Sequence, residues 1–213
     1  MKALVILQGI NDNSGYLLPE IEKSTFDSSI YDKIVYINTE KYFDHGKRNL
    51  PFYLSWIPNK QKDYLSDIWV FFLKKKIYKK INKEVTNTVI DLQDQGYTVD
   101  YLAHSLGTLI ALTSGLKRKP VKVDNFYCLN SPLGIEAPIA RYFVQRRVKR
   151  YDRTFSCNTL YNLYGEKDYI SSQMAYSQSI IEETAKLVVT KTHSVGNDML
   201  DAHAASYALN TLY

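Results

Sequence analysis

The chain has 213 residues, of which 45% are hydrophobic, and its net charge is +5. This length suffices for a full hydrophobic core, and the composition excludes disordered, collagen-like and disulfide-rich classes. The charge indicates a mild attraction to anionic partners and no particular activity. The apolar run Ala3–Leu7 is too short for a signal peptide, and Ile68–Leu73 is too short to cross a membrane. We therefore expect a single domain over residues 1–213, without a transmembrane segment, in the cytoplasm.

The first half of the chain alternates between strand and helix patterns. The continuous apolar run Ala3–Leu7 predicts a strand buried on both faces of a parallel sheet. A polar loop follows it, and then the pattern predicts a short helix over Leu17–Phe26 and a second strand over Lys33–Asn38. Helical spacing of apolar residues over Leu65–Leu92 predicts one long helix or two consecutive ones, with Gly96 as the stop signal.

An irregular, aromatic-rich segment interrupts this alternation at about residues 40–80. We interpret it as a lid or a substrate wall, with an ordinary surface loop as the alternative. Lysines crowd Lys74–Lys83, and Arg141–Arg153 forms a second basic cluster. Such clusters are typical of solvated helix faces and also of surfaces that contact anionic lipid or nucleic acid.

Strand and helix patterns alternate again through the second half. The predicted strands are Tyr97–Leu102, Val121–Leu129, Thr159–Tyr164 and Lys186–Thr190. The predicted helices are Leu106–Leu116, Ile135–Arg153, Ser171–Thr184 and Met199–Leu212. Alternation of this kind indicates βαβ units, and hence an α/β fold with about six mostly parallel strands.

Ser105 stands where the predicted third strand passes into a helix. Ala103 and Gly107 flank it two positions away, and a serine between small residues at such a switch is typical of a nucleophile elbow. The turn is so tight that these two positions tolerate little or no side chain. Leu106 opens the helix, where its N–H favours a developing negative charge. A serine that only caps the helix is the structural alternative.

Later strand ends supply the groups that an activated serine needs. The loops after parallel strands meet at one edge of a sheet, and Asp168 follows the predicted fifth strand while His193 follows the sixth. An imidazole takes the proton of the serine hydroxyl, and a carboxylate fixes the tautomer of that imidazole. The pattern therefore predicts a catalytic triad of Ser105, Asp168 and His193. The N–H groups of Leu106 and Ile10 are the predicted oxyanion donors.

Other residues compete for two of these roles. His203 is the alternative base, although it lies inside the closing helical pattern. The alternative acids are Glu166, Asp198 and Asp201. We assign packing to His104 and solvent exposure to His45. No set of positions has metal-ligand spacing and no glycine-rich phosphate loop is present, so neither metal nor cofactor is expected.

Several segments resemble parts of the α/β-hydrolase superfamily. Ala103–Gly107 resembles the Ala-His-Ser-x-Gly elbow of the small Bacillus-type lipases, and Gln8–Ile10 resembles the oxyanion loop, with glutamine where the family has histidine. Asn130–Gly134 resembles a loop that many lipases carry after the next strand. Gly165–Asp168 resembles the acid loop, and Thr192–Ser194 resembles the histidine loop. The resemblance implies a three-layer α/β-hydrolase fold with helices on both faces of the sheet.

The resemblance and the triad together predict a serine hydrolase that cleaves carboxylic esters through a covalent acyl-enzyme. A small-molecule or lipid ester is the expected substrate. Thioesterase, amidase and acyltransferase activities use the same intermediate and stay open. The alternative from another class is a hydrolase-fold binding module that engages anionic lipid or nucleic acid through the basic clusters. Acyl specificity and oligomeric state are left open by the sequence.

Overall fold

A computed structural model of the chain describes residues 1–9, 17–42, 75–115, 119–132, 142, 146, 148, 154–165 and 184–192. The described strands are β1 (Lys2–Leu7), β2 (Lys33–Ile37), β3 (Thr98–His104), β4 (Val121–Leu129), β5 (Phe155–Gly165) and β6 (Thr184–Thr192). The described α-helices are α1 (Leu17–Lys23), α2 (Lys75–Asp94) and α3 (Leu106–Leu112). The six strands form one sheet in the order β2-β1-β3-β4-β5-β6, and every pairing is parallel. The predicted α/β class is confirmed.

Several boundaries differ from the predicted ones. α1 ends at Lys23 and not at Phe26, and β3 spans Thr98–His104 where Tyr97–Leu102 was predicted. The helix predicted over Leu106–Leu116 ends at Leu112. Thr113 is its C-cap, with a φ of −108° and a ψ of 9°, and Gly115 follows with a left-handed φ of +95°. β5 is longer than predicted at both ends, since its ladder with β4 begins at Phe155. Thr184, predicted as the last residue of a helix, is the first residue of β6.

Several predicted segments fall on residues that the structure does not describe. They are most of the aromatic-rich segment at 40–80, the helix over Ile135–Arg153 apart from helical positions 142, 146 and 148, the helix over Ser171–Thr184 apart from Thr184, and the closing helix over Met199–Leu212.

Alternate residues of β1 join two separate hydrophobic clusters. The larger cluster contains Ala3, Val5 and Leu7, together with apolar residues of α2 and α3. The smaller cluster contains Leu4 and Ile6, together with apolar residues of α1. Burial of successive residues in two clusters explains why the strand is a continuous apolar run and not an alternating one. β1 is therefore a central strand on which both clusters depend.

A buried carboxylate in the first half of β3 links this strand to its two neighbours in the sheet. Asp100 is fully buried, and its Oδ2 accepts the Tyr31 hydroxyl at 2.8 Å and pairs with Lys2 Nζ at 2.9 Å. Its Oδ1 accepts the backbone N–H of Asn125 at 3.0 Å. Burial and the adjacent Asp100 charge raise the pKa of Tyr31 far above its usual value, so this hydroxyl remains a donor.

We expect Asp100→Asn to lower the free energy of unfolding by about 2–4 kcal/mol. The amide has one acceptor oxygen where the carboxylate has two, and the substitution also removes the negative charge that pairs with Lys2. Urea denaturation measures this loss. Asp124→Asn on β4 is the control, because Asp124 is only half-buried. Its Oδ1 accepts from exposed Asn158 at 2.7 Å and its Oδ2 accepts from Asn125 Nδ2 at 3.3 Å, and we expect a change below about 1 kcal/mol. Equal losses in the two variants would contradict the prediction.

Candidate functional site

Ser105 joins β3 to α3 in an unusual backbone conformation, with φ 50° and ψ −126°. A left-handed φ outside glycine costs about 1–3 kcal/mol and persists only where the surroundings enforce it. The Ser105 N–H donates to the Leu129 carbonyl at 2.9 Å, which carries the β3–β4 pairing past the end of the strand. Within the described residues, the side chain makes no capping hydrogen bond to α3, which argues against the helix-capping alternative.

Two glycines allow β1 to pack directly on the turn at Ser105. A Cβ built at Gly107 would lie 2.5 Å from the carbonyl oxygen of Leu7 and 2.8 Å from that of Gln8. A Cβ built at Gly9 would lie 3.1 Å from the Cβ of Ser105. Real Cβ atoms do not approach backbone oxygens as closely as 2.5 Å, so Gly107 meets the steric demand that the sequence indicated.

The strand order places this turn where ligands bind in many parallel sheets. β1 lies between β2 and β3, so the chain builds the sheet in one direction from β1 to β2 and in the other from β3 onward. A crevice forms at the carboxyl ends of the strands where the order reverses in this way. Gln8 and Gly9 follow β1, and Ser105 follows β3, so both sides of the reversal point contribute to the candidate site.

The end of β4, like the end of β3, is followed by a residue with a left-handed φ. Asn130 has a φ of 47°, and its N–H donates to the Leu163 carbonyl at 2.8 Å. Ser105 and Asn130 are the two non-glycine residues with a left-handed φ in the described part of the chain. The next residue, Ser131, lies with its Oγ 2.7 Å from the Oγ1 of Thr108. This contact joins the β4 end to the first turn of α3.

Two of the five predicted site residues, Ser105 and Leu106, are described. Leu106 is the first residue of α3, so its N–H has no acceptor four residues earlier within the helix. Ile10, Asp168 and His193 lie outside the described residues. In the chain, Asp168 follows shortly after the end of β5 and His193 comes directly after the end of β6.

Sequence reasoning missed two buried hydroxyls beside the turn, those of Thr108 and Ser131. The available signal for Thr108 was a polar residue inside the apolar pattern of α3. Ser131 stands in the Asn130–Gly134 loop, which we singled out for its resemblance to a lipase loop and not for any contact. Their contact joins residues far apart in the chain, and no local pattern encodes it.

One face of α2 carries exposed lysines in its amino-terminal half. These are Lys76, Lys79, Lys80 and Lys83, which are spaced three or four residues apart. An open groove of about 400 Å³ runs beside them and is lined in part by Tyr42, Lys80 and Asp91. The groove lies on the outer side of α2 and does not include Ser105.

In comparisons with known proteins, no protein-family model and no curated protein matches the chain. Among the residues that the structure describes, no group of three or more His, Cys, Asp or Glu side chains is placed to hold a metal ion. None of the described helices is long and apolar enough to cross a membrane. The functional argument therefore depends on the local geometry.

We expect Gly107→Ala to lower the free energy of unfolding by about 2 kcal/mol or more, because its Cβ would overlap two backbone carbonyls. Helix propensity alone predicts the opposite sign, a stabilisation of about 1 kcal/mol. Gly96→Ala is the control: Gly96 has a φ of +84°, but the nearest atom to its Cβ would be 4.0 Å away. There we expect a loss of only about 1 kcal/mol from the backbone conformation. A stabilised Gly107→Ala protein in thermal denaturation would contradict the prediction.

Proposed function

We propose that this protein is a serine hydrolase of the α/β-hydrolase class that cleaves carboxylic esters through a covalent acyl-enzyme at Ser105. The observation that carries the proposal is the left-handed backbone of Ser105 at the β3–α3 turn. Strain of this kind gathers at active sites, where the surrounding structure over-determines it. In a nucleophile elbow it presents the serine Oγ above the edge of the sheet.

Two features of the sheet support the same proposal. The turn lies at the carboxyl ends of β1 and β3, where the strand order reverses, and Gly9, which precedes the predicted donor Ile10 in the chain, packs close to Ser105. The hydrophobic clusters support a three-layer arrangement, since α2 and α3 contribute to one cluster and α1 contributes to the other.

In the proposed reaction, His193 takes the proton of Ser105 as the Oγ attacks the carbonyl carbon of the ester. Asp168 stabilises the imidazolium that forms. The N–H groups of Leu106 and Ile10 donate to the oxyanion of the tetrahedral intermediate. The intermediate collapses, the bond to the alcohol oxygen breaks, and His193 protonates the leaving alcohol. Water then attacks the acyl-enzyme with the same assistance, which releases the acid and restores the Ser105 hydroxyl.

The test is covalent labelling by a fluorophosphonate, with hydrolysis of p-nitrophenyl acetate as the second measurement. We expect the wild-type protein to take up one probe per chain and Ser105→Ala to take up none, with turnover reduced on the order of a million-fold. Ser29→Ala is the control, because Ser29 is an exposed serine away from the turn. His193→Ala should abolish labelling while His203→Ala retains it. Labelling that survives Ser105→Ala would exclude the proposal.

A second candidate function is the binding of anionic lipid or nucleic acid by the lysine face of α2. The observation in its favour is that four exposed lysines share one helix face. Their positive charges attract polyanions and would release counterions on binding, so the interaction should weaken steeply with salt. Hydrolysis of a small neutral ester should change little with salt, which separates this function from the first.

We expect replacement of the four lysines of this face by glutamine to weaken binding to vesicles that contain phosphatidylserine by at least about tenfold, because each lysine near an anionic surface contributes about 1 kcal/mol. Vesicle sedimentation at low salt measures the change, and duplex DNA is the parallel probe. The control changes the same number of charges on exposed lysines elsewhere, namely Lys23, Lys33, Lys119 and Lys122. Equal losses in the two variants would show that net charge alone acts.

A further inference from the structure

Two buried hydroxyls form a directed chain that ends on the carbonyl of Ser105. Thr108 Oγ1 donates to this carbonyl oxygen at 2.6 Å. A hydroxyl has one proton, so in the 2.7 Å contact between Thr108 and Ser131 the proton must come from Ser131. The backbone N–H of Thr108 donates to the same carbonyl oxygen at 3.0 Å. The Ser105 carbonyl is thus held by two hydrogen bonds from Thr108, and the first is supported by Ser131.

The carbonyl of Ser105 and the N–H of Leu106 belong to one peptide group. That group is planar and trans, so the two bonds point in opposite directions. Hydrogen bonds that fix the Ser105 carbonyl therefore fix the direction of the Leu106 N–H as well. This N–H is an oxyanion donor in the proposed reaction, and such a donor acts only when it is already aimed at the developing charge.

We infer that Thr108 and Ser131 are positioning residues, whose hydroxyl chain holds the Ser105–Leu106 peptide so that the Leu106 N–H points at the oxyanion. The inference rests on the proposed hydrolase function. Both residues are fully buried, and both act through the peptide group without touching substrate. The loop after β4 is thereby part of the oxyanion apparatus, although it contributes no group that reacts.

Thr113 provides an internal comparison for this role. Its hydroxyl is also fully buried in the same segment and donates to the carbonyl of Leu109 at 2.7 Å, which is the ordinary way for a threonine to bond within a helix. The acceptor, Leu109, is the middle residue of α3, and its carbonyl belongs to a different peptide group from that of Ser105. Thr113→Val therefore removes the same kind of hydrogen bond without changing the Ser105–Leu106 peptide.

The experiment compares Thr108→Val, Thr108→Ser and Ser131→Ala with Thr113→Val in hydrolysis of p-nitrophenyl acetate. We expect Thr108→Val to lower kcat by about 10- to 100-fold with KM nearly unchanged, because a poorly aimed Leu106 N–H stabilises the oxyanion less but does not alter the binding of the substrate. Ser131→Ala should lower kcat by about 3- to 10-fold, and Thr108→Ser, which keeps the hydroxyl, should restore most of the rate. Thr113→Val should lose thermal stability as Thr108→Val does and keep its kcat.

The outcomes separate the inference from the function on which it rests. If the fluorophosphonate labels the wild-type protein at Ser105 and Thr108→Val keeps the wild-type kcat, the inference fails and the hydrolase function stands. Equal losses of kcat in Thr108→Val and Thr113→Val would also overturn it, because general loosening of α3 would then suffice. If the wild-type protein is not labelled, both fail together.

A double variant tests whether the two hydroxyls act as one chain. Once Thr108→Val has removed the acceptor of the Ser131 hydroxyl, Ser131→Ala should lower kcat no further. If the two losses multiply instead, the hydroxyls act independently and the inferred chain is wrong.

If Thr108→Val does not fold, Ser131→Ala alone tests whether the hydroxyl chain affects kcat, since this variant keeps the Thr108–Ser105 hydrogen bond. A wild-type kcat in Ser131→Ala would then overturn the inference.

Discussion

The candidate site depends on one steric constraint, the close passage of the β1 end against the first turn of α3. The carbonyl oxygens of Leu7 and Gln8 occupy the space that a side chain at position 107 would need. Because α3 is pressed onto β1 in this way, the chain reverses from β3 into α3 within one residue. The change of chain direction requires a left-handed φ at Ser105, which costs about 1–3 kcal/mol.

The cost is offset by contacts that the same turn makes. The Ser105 N–H continues the ladder to Leu129, and the Ser105 carbonyl receives the two hydrogen bonds of Thr108. Both polar backbone groups of the strained residue are therefore satisfied, so no buried polar group adds to the strain. These hydrogen bonds restrain both backbone groups of Ser105, and such restraint is what a preorganised site requires.

The sheet alone would not assign a function to this chain. A parallel sheet whose order reverses beside β1 also serves nucleotide-binding proteins, so the fold gives a place for a ligand and not a reaction. The assignment depends on what stands at that place. A glycine-rich loop there would favour a phosphate, whereas the described part of this site has Ser105 with a left-handed φ. The serine is what favours acyl transfer.

The features that the sequence predicted well are those that local chemistry encodes. Val121–Leu129 has the predicted boundaries because turn residues bound this strand on both sides, Pro120 before it and Asn130 after it. The need for a residue without a side chain at Gly107 was predicted from the spacing around Ser105, since the steric demand of the turn acts within five residues.

Contacts between distant segments could not be predicted in this way. β5 was predicted too short because Phe155–Asn158 contains polar residues, yet pairing with β4 makes this segment part of the strand. The Thr108–Ser131 contact and the Asp100 cluster join distant segments, so no local pattern could reveal them.

Two parts of β3, the buried Asp100 and the carboxyl end, together explain how the fold sustains strain at its candidate site. In its amino-terminal half, Asp100 bonds Tyr31, Lys2 and Asn125, which ties β3 to the chain on both sides of it. At its carboxyl end, the chain departs from ordinary backbone geometry at Ser105. A strand free to slide along its neighbours would relieve the turn by shifting its register, because the left-handed conformation is costly. The Asp100 contacts oppose such a shift, since any register change would leave a buried carboxylate without its donors. The contacts of Asp100 thus oppose relief of the strained turn from within the same strand.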